Sequence, residues 1–146
     1  MATARHIQGQ LFADERGHLT FFNAFDMTAI KRMYQIAPAN TQMIRAWQGH
    51  KREQKWFYVL QGGFLIQTVA ITDFENPETK TEVRQHHLNE KEPMVLHLPS
   101  GHASGIQALD PDSKLLVFSD VNLKDSKNDD YRFPVDFWKA EWMVSN

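Results

Sequence analysis

The chain of 146 residues has no cysteine, which excludes a disulfide framework, a thiolate nucleophile and a cysteine-based zinc site. No apolar run approaches the ~18 residues that a membrane-spanning helix needs. The start, Met1-Ala-Thr-Ala-Arg-His-Ile-Gln, lacks the apolar segment of a secretory leader. The expectation is a soluble cytoplasmic protein with no membrane partner. Charge of one sign is also missing: 16 basic and 18 acidic residues leave a formal net charge of −2. Such a balance creates no field that would gather nucleic acid or an acidic membrane. Internal repeats, low-complexity tracts and linkers are absent too, so residues 1–146 are read as a single domain.

What is present is short apolar runs separated by turn formers, about every 8–12 residues, the pattern of a sandwich or barrel. Candidate strands are Gln8–Phe12, Leu19–Asn23, Lys31–Ile36, Met43–Gln48, Lys55–Gln61, Gly63–Thr72, Thr81–Leu88, Met94–Leu98, Ser104–Ala108 and Lys114–Asp120. Asp14-Glu-Arg-Gly17, Asn76-Pro77, Pro99-Ser-Gly101 and Asp110-Pro-Asp-Ser113 supply turn chemistry between them. Gly62-Gly63 can provide the positive φ of a tight hairpin. Helical periodicity is weak except from about Phe133 to Trp142, where a short helix or an aromatic tail docking on the rest is expected. Closing such a chain into a double-sheet jelly-roll barrel removes its exposed sheet edges and leaves an open mouth.

The densest chemistry lies in Arg45-Ala-Trp-Gln-Gly-His50-Lys-Arg-Glu-Gln-Lys55-Trp-Phe-Tyr58. Strand alternation puts Arg45, Trp47 and Gly49 on one face and Gln48 and His50 on the other. After a turn, Lys55, Phe57 and Val59 share a face. A solvated charge cluster is the bland alternative. Trp47, Trp56 and Phe57 argue against it, since they are costly to leave in water and mark a wall. Barrels of this kind often hold a metal through a His-x-His pair, a nearby acid and a later histidine. Here the pair reads Gln48-Gly-His50, and Ser104 stands where the last histidine is expected in Pro99-Ser-Gly-His102-Ala-Ser104. Too few ligands remain for a metal site, because even catalytic zinc normally takes three protein ligands. His86, His87 and His97 read as surface or hydrogen-bonded histidines.

Several segments in order resemble the cupin-type sugar-nucleotide epimerases and 3,4-ketoisomerases that act on dTDP-4-keto-6-deoxyhexoses. Asp14-Glu-Arg16-Gly17 is similar to that family's Asp-x-Arg-Gly turn, and Ile30-Lys-Arg32-Met-Tyr34 to the Ile-Lys-Arg-x-Tyr strand of its ketoisomerase branch. Arg45-Ala-Trp-Gln-Gly-His50-Lys51 resembles that branch's Arg-Gly-x-His-Ala-His-Lys. Lys55-Trp-Phe-Tyr-Val, Leu98-Pro-Ser-Gly-His-Ala-Ser-Gly105 and Phe137-Trp138…Trp142 are similar to features of the epimerase branch. The resemblance implies an all-β double-stranded β-helix (cupin jelly-roll barrel), a nucleotide-sugar substrate, no cofactor and a homodimer.

The resemblance also assigns roles. Arg16, Arg32 and Arg45 hold the diphosphate or face the ligand, suited by arginine's paired donors. Trp47 or Trp56 stacks on a base or sugar face, and Gln48, His102 and Ser104 contact the sugar. The histidine that serves as base in the epimerase branch is Gln48 here, and an amide cannot take a proton from carbon. His50 becomes the candidate base because imidazole titrates near neutrality, with Tyr34 and Lys55 acting at the oxygen where enolate charge grows. The expected activity is isomerisation or epimerisation of a nucleotide-linked 4-keto-6-deoxy sugar by proton transfer beside the ketone. A non-catalytic sugar-nucleotide-binding cupin and a metal-dependent cupin such as a small dioxygenase are the alternatives.

Overall fold

The structure, a computed structural model, describes residues 2–143; Met1 and residues 144–146, the two ends of the 1–146 span, lie outside the described residues. The strands are β1 (Arg5–Gln8), β2 (Gln10–Asp14), β3 (Gly17–Phe21), β4 (Arg32–Ile36), β5 (Ile44–His50), β6 (Lys55–Gln61), β7 (Gly63–Ala70), β8 (Val83–Asn89), β9 (Met94–Leu98), β10 (His102–Ala108), β11 (Lys114–Ser119) and β12 (Tyr131–Arg132), with one helix, α1 (Leu123–Lys127). They form one sheet in the order β1-β9-β6-β11-β4 and a second in the order β12-β5-β10-β7-β8, all antiparallel, plus a separate β2-β3 hairpin. Two facing antiparallel sheets with crossovers make the expected jelly-roll barrel.

Alternation explains the core. Phe57 and Val59 of β6, Leu96 and Leu98 of β9, and Leu115 and Val117 of β11 face Phe64, Ile66 and Ile106 across the barrel. Lys55 continues the inward row and is buried. Residues 63–69 of β7 and all of β10 are buried on both faces, because the segment after β12 covers their outer side. There a second cluster gathers Trp47, Val69, Ile71, Phe74, Ala103 and Trp138.

Three expectations need correction. No helix forms over Phe133–Trp142 among the described residues; the helix is Leu123–Lys127, capped by Asn122 Oδ1 accepting from the Asp125 N–H at 2.8 Å. The tail makes one turn, Phe137 N–H donating to Pro134 O at 2.9 Å, and is otherwise irregular, with side chains claiming its carbonyls: the Trp47 indole donates to Val135 O, Gln67 to Glu141 O, and Gln107 to Met143 O. Its aromatics do dock, with Trp138 1% exposed and edge-on to Trp47. Secondly, Gly62 has φ +75° as required, yet β6 and β7 belong to different sheets, so Gly62 turns a barrel corner and not a hairpin. Thirdly, the register between β10 and β5 shifts between Ser104 and Ile106, so Ala46 and Trp47 together oppose Gly105. This bulge breaks the alternation: Arg45 lines the barrel mouth while Trp47 turns into the second cluster.

Candidate active site

The site is built where β4, β5, β6, β10 and β12 meet at one end of the barrel. Gln48 and His50 lie opposite Ser104 and His102 on β10. Between β5 and β6 the chain makes a tight turn held by one buried residue, Asp129, whose carboxylate accepts from the backbone N–H groups of Lys51, Arg52 and Glu53 at 2.8, 2.9 and 2.8 Å. The carbonyl of Asp129 also takes the His50 Nδ1 hydrogen bond, at 2.7 Å. A carbonyl only accepts, so His50 carries its proton on Nδ1 and its lone pair on Nε2. That Nε2 is buried with no hydrogen-bond partner, an unspent acceptor of the kind that calls for a functional explanation.

The same turn delivers Glu53, whose side chain is fully buried, to within 3.5 Å of His50 Nδ1. Ser119 and Ser126 donate to its oxygens at 2.8 and 2.7 Å. Arg32 Nη2 donates to Ser126 Oγ at 2.9 Å and lies 3.4 Å from Glu53. Arg32 also sits 5.2 Å from the centre of the Tyr34 ring, a cation–π distance.

A second chain runs from the interior to the mouth. Lys55 Nζ donates to Gln48 Oε1 at 2.9 Å, Gln48 Nε2 donates to Asp130 at 3.2 Å, and Arg132 Nε donates to Asp130 at 2.7 Å. The amide that replaces the base is thus fixed at both ends. Burial pushes the Lys55 ammonium down to about 8, only partly offset by Glu53, and pushes the Tyr34 phenol up to about 12, with Glu53 adding to it. Burial and then Lys55 hold the His50 imidazole below its usual value, against the pull of Glu53. Around neutrality the site therefore offers a neutral imidazole, an un-ionised phenol and an ammonium that is easily discharged.

A cavity of about 310 Å³ opens here, lined by Tyr34, Ile36, Ile44, Arg45, Ala46, Trp47, Gln48, Ser104, Arg132 and Phe133. Of the residues singled out from the sequence, Tyr34, Arg45, Trp47, Gln48 and Ser104 reach its wall. The ring of Trp47 is packed in the core, its indole N–H spent on Val135 O. His50 and Lys55 are not among its lining residues; Lys55 lies behind Gln48. Arg32 lies behind Tyr34, and His102 Nδ1 is within reach of the carbonyls of Pro99 and Ser100 at 3.2 and 3.1 Å. Arg16 is elsewhere, on the β2-β3 turn, paired with Asp14 at 2.7 Å beside a separate cavity of about 290 Å³. Sequence reading missed Glu53, Asp129, Asp130 and Arg132. Glu53 alone carried a signal, as an acid within the dense segment. Among the described residues no three histidine, aspartate or glutamate side chains converge as metal ligands would.

A jelly-roll barrel with a polar, cation-rich mouth and a buried imidazole defines a small-molecule cupin. Residues 3–141 match the family described as "FdtA: WxcM-like, C-terminal". A Haloferax volcanii protein named "Probable low-salt glycan biosynthesis epimerase Agl13" is 30% identical over 143 residues, covering 90% of each chain. The fold is shared with QdtA, a sugar 3,4-ketoisomerase from Thermoanaerobacterium thermosaccharolyticum solved with TDP (TM-score 0.69, 24% identity, 92% of this chain and 90% of that one). It is also shared with dTDP-4-dehydrorhamnose 3,5-epimerase from Bacillus anthracis (TM-score 0.80, 20% identity, 98% and 86%). The chain belongs to the WxcM-like, C-terminal family.

Proposed function

We propose that this protein is an isomerase or epimerase of a dTDP-linked 4-keto-6-deoxy sugar, working by proton transfer beside the ketone in deoxysugar or polysaccharide biosynthesis. The observation that carries this reading is the buried His50, held as the Nδ1–H tautomer with an unpartnered Nε2. The ketone acidifies the C–H on either side of it, and a positioned imidazole is suited to take that proton. Tyr34 and Lys55 supply the hydrogen bond and positive charge for the enolate oxygen. Gln48 and Ser104, on the cavity wall beside Tyr34, orient the sugar. The cavity is at the small end of ligand sites, so the diphosphate lies at its mouth, where Arg45 and Arg132 stand.

The functional unit is proposed as one cytoplasmic cupin-like domain acting as a homodimer. Leu11, Phe12 and Leu19 of the β2-β3 hairpin are 51%, 54% and 61% exposed, an apolar surface suited to a second copy. In such a dimer the hairpin is the element that can carry Arg16 to a ligand.

A specific observation also favours a non-catalytic sugar-nucleotide-binding cupin: both ends of Gln48 are occupied by protein groups, and the buried His50 is not among the residues lining the cavity. Turnover of dTDP-4-keto-6-deoxyglucose by wild type and His50→Ala separates the two. Loss of at least ~10²-fold in His50→Ala supports the base role. Tight dTDP binding by a wild type that makes no new sugar supports the binding cupin.

A further inference from the structure

Glu53 is a buried charge that the reaction as drawn above does not use. Ser126 Oγ, which accepts from Arg32 Nη2, donates to Glu53 Oε1 at 2.7 Å, and Ser119 Oγ donates to Oε2 at 2.8 Å, with Val121 O a longer alternative at 3.4 Å. Arg32 approaches Oε2 as a further donor. Donors on both oxygens and the Arg32 guanidinium at 3.4 Å make surroundings suited to a carboxylate. A carboxylate in a dry interior is costly unless opposite charge and hydrogen bonds offset it. The one neighbour whose charge changes during the reaction is His50, with Nδ1 at 3.5 Å from Glu53 Oε1.

We propose that Glu53 is a positioning residue for the reaction: with the Asp129 carbonyl it holds His50 as the Nδ1–H tautomer and stabilises the imidazolium formed when Nε2 takes a proton. The inference rests on His50 being the base. In that step the C–H bond beside the ketone breaks, its electron pair moves into the enolate, and the proton forms a bond to Nε2. The ring becomes a cation while Nδ1 keeps its hydrogen toward Asp129 O and Glu53. Return of the proton to carbon restores the neutral ring. The charged and titratable groups around His50 are Glu53 and Asp129, Lys55 on β6, Asp130 before β12 and His102 opposite it on β10; Arg32 on β4 acts on it through Glu53. Lys55 opposes the imidazolium, and Glu53, together with Asp129, favours it. Glu53→Gln removes the charge and can turn an N–H toward Nδ1–H, setting donor against donor.

The test is ¹⁵N NMR of His50 in the free protein, its signals assigned with His50→Ala, alongside pH–rate profiles with dTDP-4-keto-6-deoxyglucose. Wild type should show the Nδ1–H tautomer. Glu53→Gln should lower the His50 pKa by about one unit and admit the Nε2–H tautomer. It should also reduce kcat/KM about 10–100-fold, with the acid limb moved to lower pH and KM within about twofold. Glu53→Asp keeps the charge and should restore the tautomer and most of the rate. A folded Glu53→Gln protein with wild-type His50 titration and tautomer overturns the proposal. If Glu53→Gln does not fold, Glu53→Asp decides: it draws the carboxylate one methylene back from Nδ1, so a lowered His50 pKa upholds the proposal and an unchanged His50 titration overturns it. Wild-type turnover by His50→Ala sinks the base reading instead, whatever the NMR of Glu53→Gln shows.

Discussion

Asp129→Ala tests how the turn beneath the site is held. One carboxylate satisfies three consecutive backbone donors, at 2.8, 2.9 and 2.8 Å. The bonds to Lys51 and Arg52 are partly buried, and water can replace much of what they lose. The bond to Glu53 is buried, and no solvent reaches that N–H once the carboxylate is gone. A buried donor left unpaired costs about 1–3 kcal/mol, and each bond to a charged acceptor that water takes over loses roughly 0.5–1 kcal/mol. The sum is about 3 kcal/mol. For a chain of this length that corresponds to a Tm about 6–12 °C lower. Asp129→Asn keeps one accepting oxygen and should lose roughly half as much. Thermal and urea unfolding of the three proteins at one pH measure this directly. An Asp129→Ala protein within ~0.5 kcal/mol of wild type would refute the claim that this carboxylate organises the turn.

Two pH dependences follow from burial. Lys55 folds with its ammonium near 8 against an ordinary value near 10.4, so between those values the unfolded chain binds more protons. Stability should therefore rise with pH over about 8 to 10.4, by roughly 3 kcal/mol, and Lys55→Met should flatten that rise in urea titrations. His86 lies against His6 at 2.9 Å and Thr68 at 3.2 Å, and burial, with His6 next, pushes it down to about 4. Its folded value is depressed, so stability is full above about 6.5 and is lost as pH falls toward 4, by roughly 2–3 kcal/mol. A His86→Gln protein whose unfolding free energy keeps the same slope between pH 6.5 and 4 would contradict this.

Most strands were legible because one face of each is buried against the opposite sheet, so Phe57-Val59 and Leu115-Val117 announce themselves by alternation. The bulge at Ala46-Trp47 was not, because it depends on Trp142 packing against Gly105 and on Phe133 pairing with Trp47. Likewise the tail carries helix-like spacing, yet its backbone partners are Gln67 and Gln107, on other strands. At the site, Tyr34, Gln48 and Ser104 could be placed from strand alternation, whereas Arg45 reaches the mouth only through that bulge. Asp129 and Asp130 could not: they meet Lys51–Glu53 and Gln48 across some eighty residues, and nothing local marks them.

The central claim is proton transfer beside a sugar ketone. Incubating the protein with dTDP-4-keto-6-deoxyglucose in deuterated water and locating deuterium by NMR tests it most directly. The account predicts deuterium at C3 or C5, and none with His50→Ala. No deuterium at either carbon, with the substrate bound and unchanged, would contradict it.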